Sequence, residues 1–308
     1  MITWIIGSGG LLGGALTRQN HSQLYRTGPI PWRDAEQARA TLHHQARRFE
    51  QHTQGERWRV IWAAGAATTA TEAAEAMSEL KPLEGLLTGL RSALPRTPGS
   101  FVLTSSAGGV YAGAERPPFT VDTPTAPLSP YGELKLAQEG LTESVLGGVT
   151  TMIISRVSNL YGPGQNLTKV QGLISHLAKA AIKRQPVNIF VPLGTTRDYI
   201  YSDDAARAIL QATDAPTPEP ITRMEILASG RGTTISQLIR VMNDVTKKKV
   251  PVALGSHASA KAQAPDLRMI PSMDLPDLTT LPAGVKAVHD DLLHRSQQAE
   301  VHHPAAAG

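Results

Sequence analysis

The sequence predicts an α/β fold, a doubly wound parallel sheet with a smaller, mostly C-terminal portion appended to it. Three observations predict this. Short apolar runs alternate with helix-length segments through the first half of the chain, as consecutive βα units require. A glycine-rich turn, Gly7-Ser8-Gly9-Gly10-Leu11-Leu12-Gly13, links the first apolar run to the first helical pattern. After Arg156 the alternation loosens into helices and a proline-rich tail that starts at Pro251. The chain is therefore divided into a core over residues 1–158, with later returns near 186–230, and an interleaved second portion over 159–308.

The elements follow in order. Thr3 to Ile6 is a β-branched and aromatic run and reads as the first strand. A helix is expected from Leu11 to about Arg18, a second strand at Gln23 to Arg26 and a short third at Ile30 to Trp32. Asp34 is a good N-cap for a helix running to about Phe49. Strands are expected at Arg59 to Trp62, Phe101 to Thr104 and Thr151 to Ile154. Pro130 fits a first helical position behind an extended Ser129, which starts a helix reaching about Val145. Helices are expected at about Leu167 to Lys183 and Ser236 to Thr246, while Asn188 to Val191 and Glu225 to Ala228 are candidate returns to the main sheet. Asp203 and Asp204 open a helix, where its dipole favours negative charge. The last residues, Ala305 to Gly308, are expected to fray.

Composition excludes several classes. The 308 residues carry 18% charged and 41% hydrophobic side chains, as an ordinary globular enzyme does. The formal net charge of +4 is modest, and Lys247-Lys248-Lys249 is the longest basic run, so no nucleic-acid partner is expected. With no cysteine there is no disulfide, thiolate metal site or cysteine nucleophile. His43-His44 and His302-His303 read as solvated surface, so no metal is expected. No leader pattern and no run of 18 apolar residues are visible, so the expected location is cytoplasmic, away from membranes.

The glycine turn predicts a phosphate site. Gly7 permits a tight turn, Gly10 lets the backbone approach a pyrophosphate and Gly13 lets the helix pack closely on the strand. Gly9, Gly10, Leu11 and Leu12 are expected to bind the cofactor, with anion affinity coming from free N–H groups and the positive end of the helix dipole. The second strand ends Tyr25-Arg26-Thr27, with no carboxylate before Asp34. A carboxylate there would suit the ribose hydroxyl of NAD, whereas Arg26 suits the extra phosphate of NADP. NADP(H) is favoured over NAD(H).

Tyr131 and Lys135 are four residues apart on the helix that starts at Pro130, which puts them on one face, a turn apart. A lysine ammonium at that distance favours a phenolate, and a phenolate is a general base. Ser105 and Ser106 supply hydroxyls at the end of the strand containing Phe101 to Thr104.

Taken together, these features resemble the extended short-chain dehydrogenase/reductase superfamily, the NAD(P)-dependent nucleotide-sugar epimerases and dehydratases. The resemblance covers nearly the whole chain. It rests on Gly7/Gly10/Gly13, on Ser105-Ser106-Ala107-Gly108-Gly109-Val110-Tyr111 and on Ser129-Pro130-Tyr131-Gly132-Glu133-Leu134-Lys135. It rests further on Arg156 to Asn166 and on Arg197-Asp198-Tyr199-Ile200-Tyr201-Ser202-Asp203-Asp204-Ala205.

The resemblance implies a Rossmann-type doubly wound parallel sheet and hydride transfer at a sugar carbinol. Tyr131 would act as base or acid, Lys135 would support it and bind the nicotinamide ribose, and Ser106 would polarise the oxyanion, with Ser105 the alternative hydroxyl. Ala63 and Ala64 would line the cofactor. Asn159, Arg197 and Arg268 would contact a nucleotide-linked sugar, Asn159 near its phosphates and the arginines at the diphosphate. A homodimer is also implied.

Two departures bear on the reaction. Ala107-Gly108-Gly109 supplies no Asp-Glu pair for eliminating water, so a 4-epimerase or a ketoreductase is expected rather than a dehydratase. No asparagine stands near Leu83, where the family often has one, and Pro82 falls there instead. Ala107 and this gap are the support for the alternative, a catalytically silent NAD(P)-binding sensor or regulatory protein of the same fold.

Overall fold

The computed structural model describes residues 1–53, 55–168, 171–215, 217, 219–255 and 263–302. Six strands make one wholly parallel sheet: β1 (Ile2–Ile6), β2 (Gln23–Leu24), β3 (Trp58–Trp62), β4 (Gly99–Ser106), β5 (Thr151–Val157) and β9 (Thr222–Leu227), in the order β2-β1-β3-β4-β5-β9. All five residues of β1 and of β3 are buried. Both faces are covered, which is why these strands read as continuous apolar runs rather than alternating ones.

Each face has its own core. On one, α2 (Ala35–Thr53), α4 (Leu80–Ser92) and α6 (Pro130–Leu146) cover Trp4, Trp58, Val60, Phe101 and Ile154. On the other, α1 (Leu11–Gln19) and α8 (Ser202–Ala212) cover Ile5, Ile61, Val102 and Ile153. Asp34 caps α2 as expected, its Oδ1 accepting from Glu36 N and Gln37 N at 3.0 Å. Two short helices, α3 (Ala73–Ser78) and α5 (Ala107–Val110), follow β3 and β4.

Beyond β5 the chain adds β6 (Asn159–Tyr161), α7 (Leu173–Lys183), β7 (Val187–Ile189), β8 (Thr196–Tyr201), β10 (Gly232–Thr234), α9 (Ile235–Thr246), β11 (Val252–Leu254), β12 (Asp266–Leu267) and α10 (Leu281–His302). β8 pairs with β10, β12 and β6 in a second sheet. A third core gathers Leu177, Leu238, Val285 and Val288 from α7, α9 and α10 around Tyr161 and Tyr199.

Several expectations need correction. Ile30 to Trp32 is not a strand, because Pro29 and Pro31 have no N–H to place in a ladder. The second strand stops at Leu24, although Tyr25 N still donates to Thr3 O at 2.8 Å. The helix expected from Leu167 begins at Leu173, behind Gly172 at φ +93°. Residues 187–189 pair with β11 instead of the main sheet. The proline-rich tail ends in a 22-residue helix, α10, that the sequence reading missed. His303 and the expected frayed end lie outside the described residues. Among the described residues no helix is long and apolar enough to cross a membrane.

Candidate active site

Four segments meet at the carboxyl ends of the main strands, where open α/β sheets bind ligands. They are the glycine turn after β1, the loop after β3, α5 after β4, and β6 after β5.

In the first, Gly7 has φ +89°, and a Cβ there would lie 2.6 Å from Ala64 N and 2.7 Å from the Ala63 carbonyl. Only glycine fits. A Cβ on Gly13 would lie 2.0 Å from Gly7 O, so α1 rests directly on the turn. Gly10 is the N-cap of α1 and brings no capping side chain, and nothing stands within 4 Å of a Cβ placed at Gly9. The first N–H groups of α1, including those of Leu11 and Leu12, are thus left to an external acceptor. This cradle fits the pyrophosphate of a nicotinamide dinucleotide.

Past β2, Arg26 is exposed and makes no ion pair among the described residues, and no carboxylate stands between it and Asp34. Trp32, 47% exposed, stands edge-on to the buried Trp62 with ring centroids 6.2 Å apart.

The catalytic candidates converge. Ser129 caps α6 by accepting from Gly132 N at 3.3 Å, with Pro130 in the first turn, so Tyr131 and Lys135 occupy the first two turns. Lys135 is only 6% exposed, and its Nζ lies 5.6 Å from the Tyr131 ring centroid. It donates to Gln138 Oε1 at 3.0 Å. The Tyr131 ring lies against α5, 3.0 Å from where a Cβ of Gly109 would be. Asn159 Oδ1 lies 3.4 Å from the corresponding point on Gly108, the preceding residue.

The two serines differ. Ser105 is buried and donates to Glu139 Oε1 at 2.5 Å. Ser106 is half-buried and accepts from Gly109 N at 3.1 Å as the N-cap of α5, which leaves its hydroxyl hydrogen free to donate.

Beneath them runs a buried network that the sequence reading missed. Arg156 donates to Glu139 through Nε at 3.0 Å and Nη2 at 2.6 Å, and through Nη1 to the Tyr111 hydroxyl at 2.6 Å. Burial pushes the Tyr111 phenol above its ordinary range, while Arg156 pulls the other way. Glu139 continues the spacing of Tyr131 and Lys135 by one more turn, a signal that could have revealed it. A second missed group is Glu79, whose Oε1 accepts from Ala66 N at 2.6 Å and Ala67 N at 2.7 Å in the loop after β3.

The two arginines expected at a diphosphate are held by protein groups. Arg197 is buried and donates to Thr196 O at 2.9 Å and Ala264 O at 2.8 Å, and burial pushes its guanidinium below the ordinary range. Arg268 pairs with Asp266 at 2.8 Å and lies over Gly232. Behind β6, the buried Asp198 accepts from Ser158 Oγ, Ser229 N and Ser229 Oγ at 2.8–3.1 Å.

Comparison with known sequences decides the family. The model of the NAD dependent epimerase/dehydratase family matches residues 4–223. The chain belongs to that family. Within it, a dTDP-L-rhamnose 4-epimerase of Burkholderia thailandensis is 35% identical over 122 residues, 39% of this chain and 33% of that protein. A dTDP-4-dehydro-6-deoxyglucose reductase of Escherichia coli is 28% identical over 152 residues, 49% of this chain and 47% of that protein. The matches therefore span less than half the length of these two relatives.

Solved structures cover more of the chain. The UDP-glucose 4-epimerase of Thermotoga maritima, in complex with UDP-glucose, superposes at TM-score 0.78 over 96% of this chain and 100% of its own, with 19% identity. That of Bifidobacterium longum, in complex with NAD+ and UDP, gives 0.79 over 96% and 99%, with 17% identity. At this level of identity the likenesses show the fold alone, over nearly the whole chain.

Proposed function

We propose that this chain transfers hydride between a nicotinamide dinucleotide and a carbinol carbon of a nucleotide-linked sugar, as a 4-epimerase or a ketoreductase. The observation that carries this reading is the Tyr131 ring lying against the Ser106–Gly109 segment, with the Lys135 ammonium buried below it. When bound, the dinucleotide accepts or supplies the hydride.

The protein's own residues handle the proton. In the oxidising direction Tyr131 takes the carbinol proton as the C–H bond breaks and the C=O bond forms. In the reducing direction it returns the proton to the oxygen as hydride reaches carbon. The Lys135 ammonium stands beside the Tyr131 ring, and the Ser106 hydroxyl donates to the same substrate oxygen. Ala107-Gly108-Gly109 offers no acid for elimination, which supports transfer without loss of water. Asn159 and the portion after it would hold the sugar nucleotide, with Arg268 the more accessible of the two arginines for its diphosphate.

Arg26, exposed and unopposed by a carboxylate, supports NADP(H) over NAD(H), and Arg26→Ala is expected to weaken NADP(H) selectively in calorimetric titration. The family resemblance adds the expectation of a homodimer, which light scattering tests.

The deciding assay incubates the protein with UDP- and dTDP-sugars and their 4-keto forms while following the reduced-nicotinamide absorbance. A reductase consumes the reduced cofactor stoichiometrically, whereas an epimerase leaves it unchanged and inverts the sugar. Tyr131→Phe is expected to abolish either activity. Turnover intact in that variant would overturn the reading, and dinucleotide binding without turnover of any of these sugars would favour a silent binding protein.

A further inference from the structure

The loop after β3 touches both ends of the candidate site. At its start, Ala63 N donates to Ile6 O at 2.9 Å, and the Ala63–Ala64 backbone is wedged against Gly7. In its middle, the Lys135 Nζ stands 3.8 Å from where a Cβ of Gly65 would be. Immediately after it, one oxygen of Glu79 accepts from two successive N–H groups, those of Ala66 and Ala67. The other oxygen of Glu79 stands 3.5 Å from the same point on Gly65.

We propose that Glu79 is a positioning residue: by capping Ala66 and Ala67 it fixes this loop, and with it the separation between the glycine turn and Lys135. The inference rests on the dinucleotide reading of the site. Successive N–H groups converging on one point form a concavity that attracts an anionic oxygen. Here the chain fills that concavity itself, from the junction of α3 and α4, thirteen residues further on.

The half-buried position of Glu79 makes the effect local. Water can replace a lost acceptor there, so removing the carboxylate has little bearing on global stability. A loosened loop, in contrast, lets Ala63–Ala64 and Lys135 drift relative to the turn, and errors of about 1 Å in such geometry are expensive. Capping depends on an oxygen acceptor rather than on charge, so a glutamine can do it.

The test measures dinucleotide affinity by calorimetry, kcat and KM for the sugar, and the urea midpoint, for the wild type, Glu79→Ala and Glu79→Gln. Glu79→Ala is expected to weaken dinucleotide binding by about tenfold or more and to lower kcat, with KM for the sugar and the urea midpoint nearly unchanged. Glu79→Gln is expected to restore affinity to within about threefold, because its carbonyl oxygen meets the same two N–H groups. Amide exchange at Ala66 and Ala67 should accelerate in the alanine variant only.

Wild-type affinity in Glu79→Ala would overturn the proposal. So would a glutamine variant as weak as the alanine one, which would assign the effect to charge beside Lys135. A fall in urea midpoint matching the loss of affinity would make the role merely structural. Failure of the wild type itself to bind any dinucleotide would be a failure of the underlying reading.

Discussion

Ser105 and Ser106 are adjacent in sequence and opposite in circumstance. Ser105 spends its hydroxyl hydrogen on Glu139 inside the core, whereas Ser106 accepts from the N–H of Gly109, the residue against which the Tyr131 ring lies. Ser106→Ala is expected to lower kcat on the order of a hundredfold while the fold persists, as loss of a donor to a developing oxyanion does. Ser105→Ala is expected to lower stability by about 1 kcal/mol and to change kcat only a few-fold. Steady-state kinetics beside urea titration reads both, and the reverse pattern would assign the chemistry to Ser105. The Tyr131–Lys135 pair was legible in the sequence because its geometry is local, one turn of one helix. Glu79 was not, and neither were the groups that hold Arg197. Glu79 meets Ala67 and Ala66 across twelve and thirteen residues and Arg197 meets Ala264 across sixty-seven, and spacing along the chain does not show what a fold brings together.

At the level of elements, α6 is fastened to its neighbours by the same face that carries Tyr131 and Lys135. Glu139 on α6, Ser105 on β4, Arg156 on β5 and Tyr111 after α5 form one buried hydrogen-bonded unit. Arg156→Met strands the Glu139 carboxylate in the interior and is expected to cost about 3–5 kcal/mol. Adding Glu139→Met removes that stranded charge, and the double variant is expected to recover much of the loss by urea titration. If the double variant is no more stable than the single one, the pair is not the source of the loss. Elements with strong local signals were read well: β1 and β3 as apolar runs, α2 from its Asp34 cap and α6 from Ser129 and Pro130. The elements misread were those where two signals compete. Ile30 to Trp32 has strand-like side chains but prolines that cannot join a ladder. In α10, Leu281, Val285, Val288 and Leu292 carry a helical period hidden behind Pro271, Pro276 and Pro282.

The whole molecule carries carboxyl groups whose burial makes its stability depend on pH. Burial pushes Glu225 above the ordinary carboxylate range, against the hydrogen bond from Ser155 and the pull of Arg223, and Asp198 is raised in the same way. A carboxyl raised in the folded state costs nothing at a pH where both states are protonated. Its full penalty is present once both are ionised, so this contribution falls as pH rises from the ordinary carboxylate range through the raised folded value. Glu225→Gln keeps the acceptor for Ser155. It is expected to match the wild type in acid and to exceed it near neutrality, judged by urea midpoints at the two pH values. An advantage that does not grow with pH would contradict the burial account.

Of the four tryptophans, Trp4, Trp58 and Trp62 are sealed inside the first core, and Trp32 alone faces water. The molecule therefore has a built-in optical reporter. Emission from Trp32 is expected at longer wavelength than that of its three buried counterparts and should be open to collisional quenchers that cannot reach them. Its ring stands edge-on to Trp62 at the end of the strand that leads into the Ala63–Ala64 loop. Whatever docks beside that loop should change the colour or the accessibility of one indole, so occupancy can be followed in real time without a label.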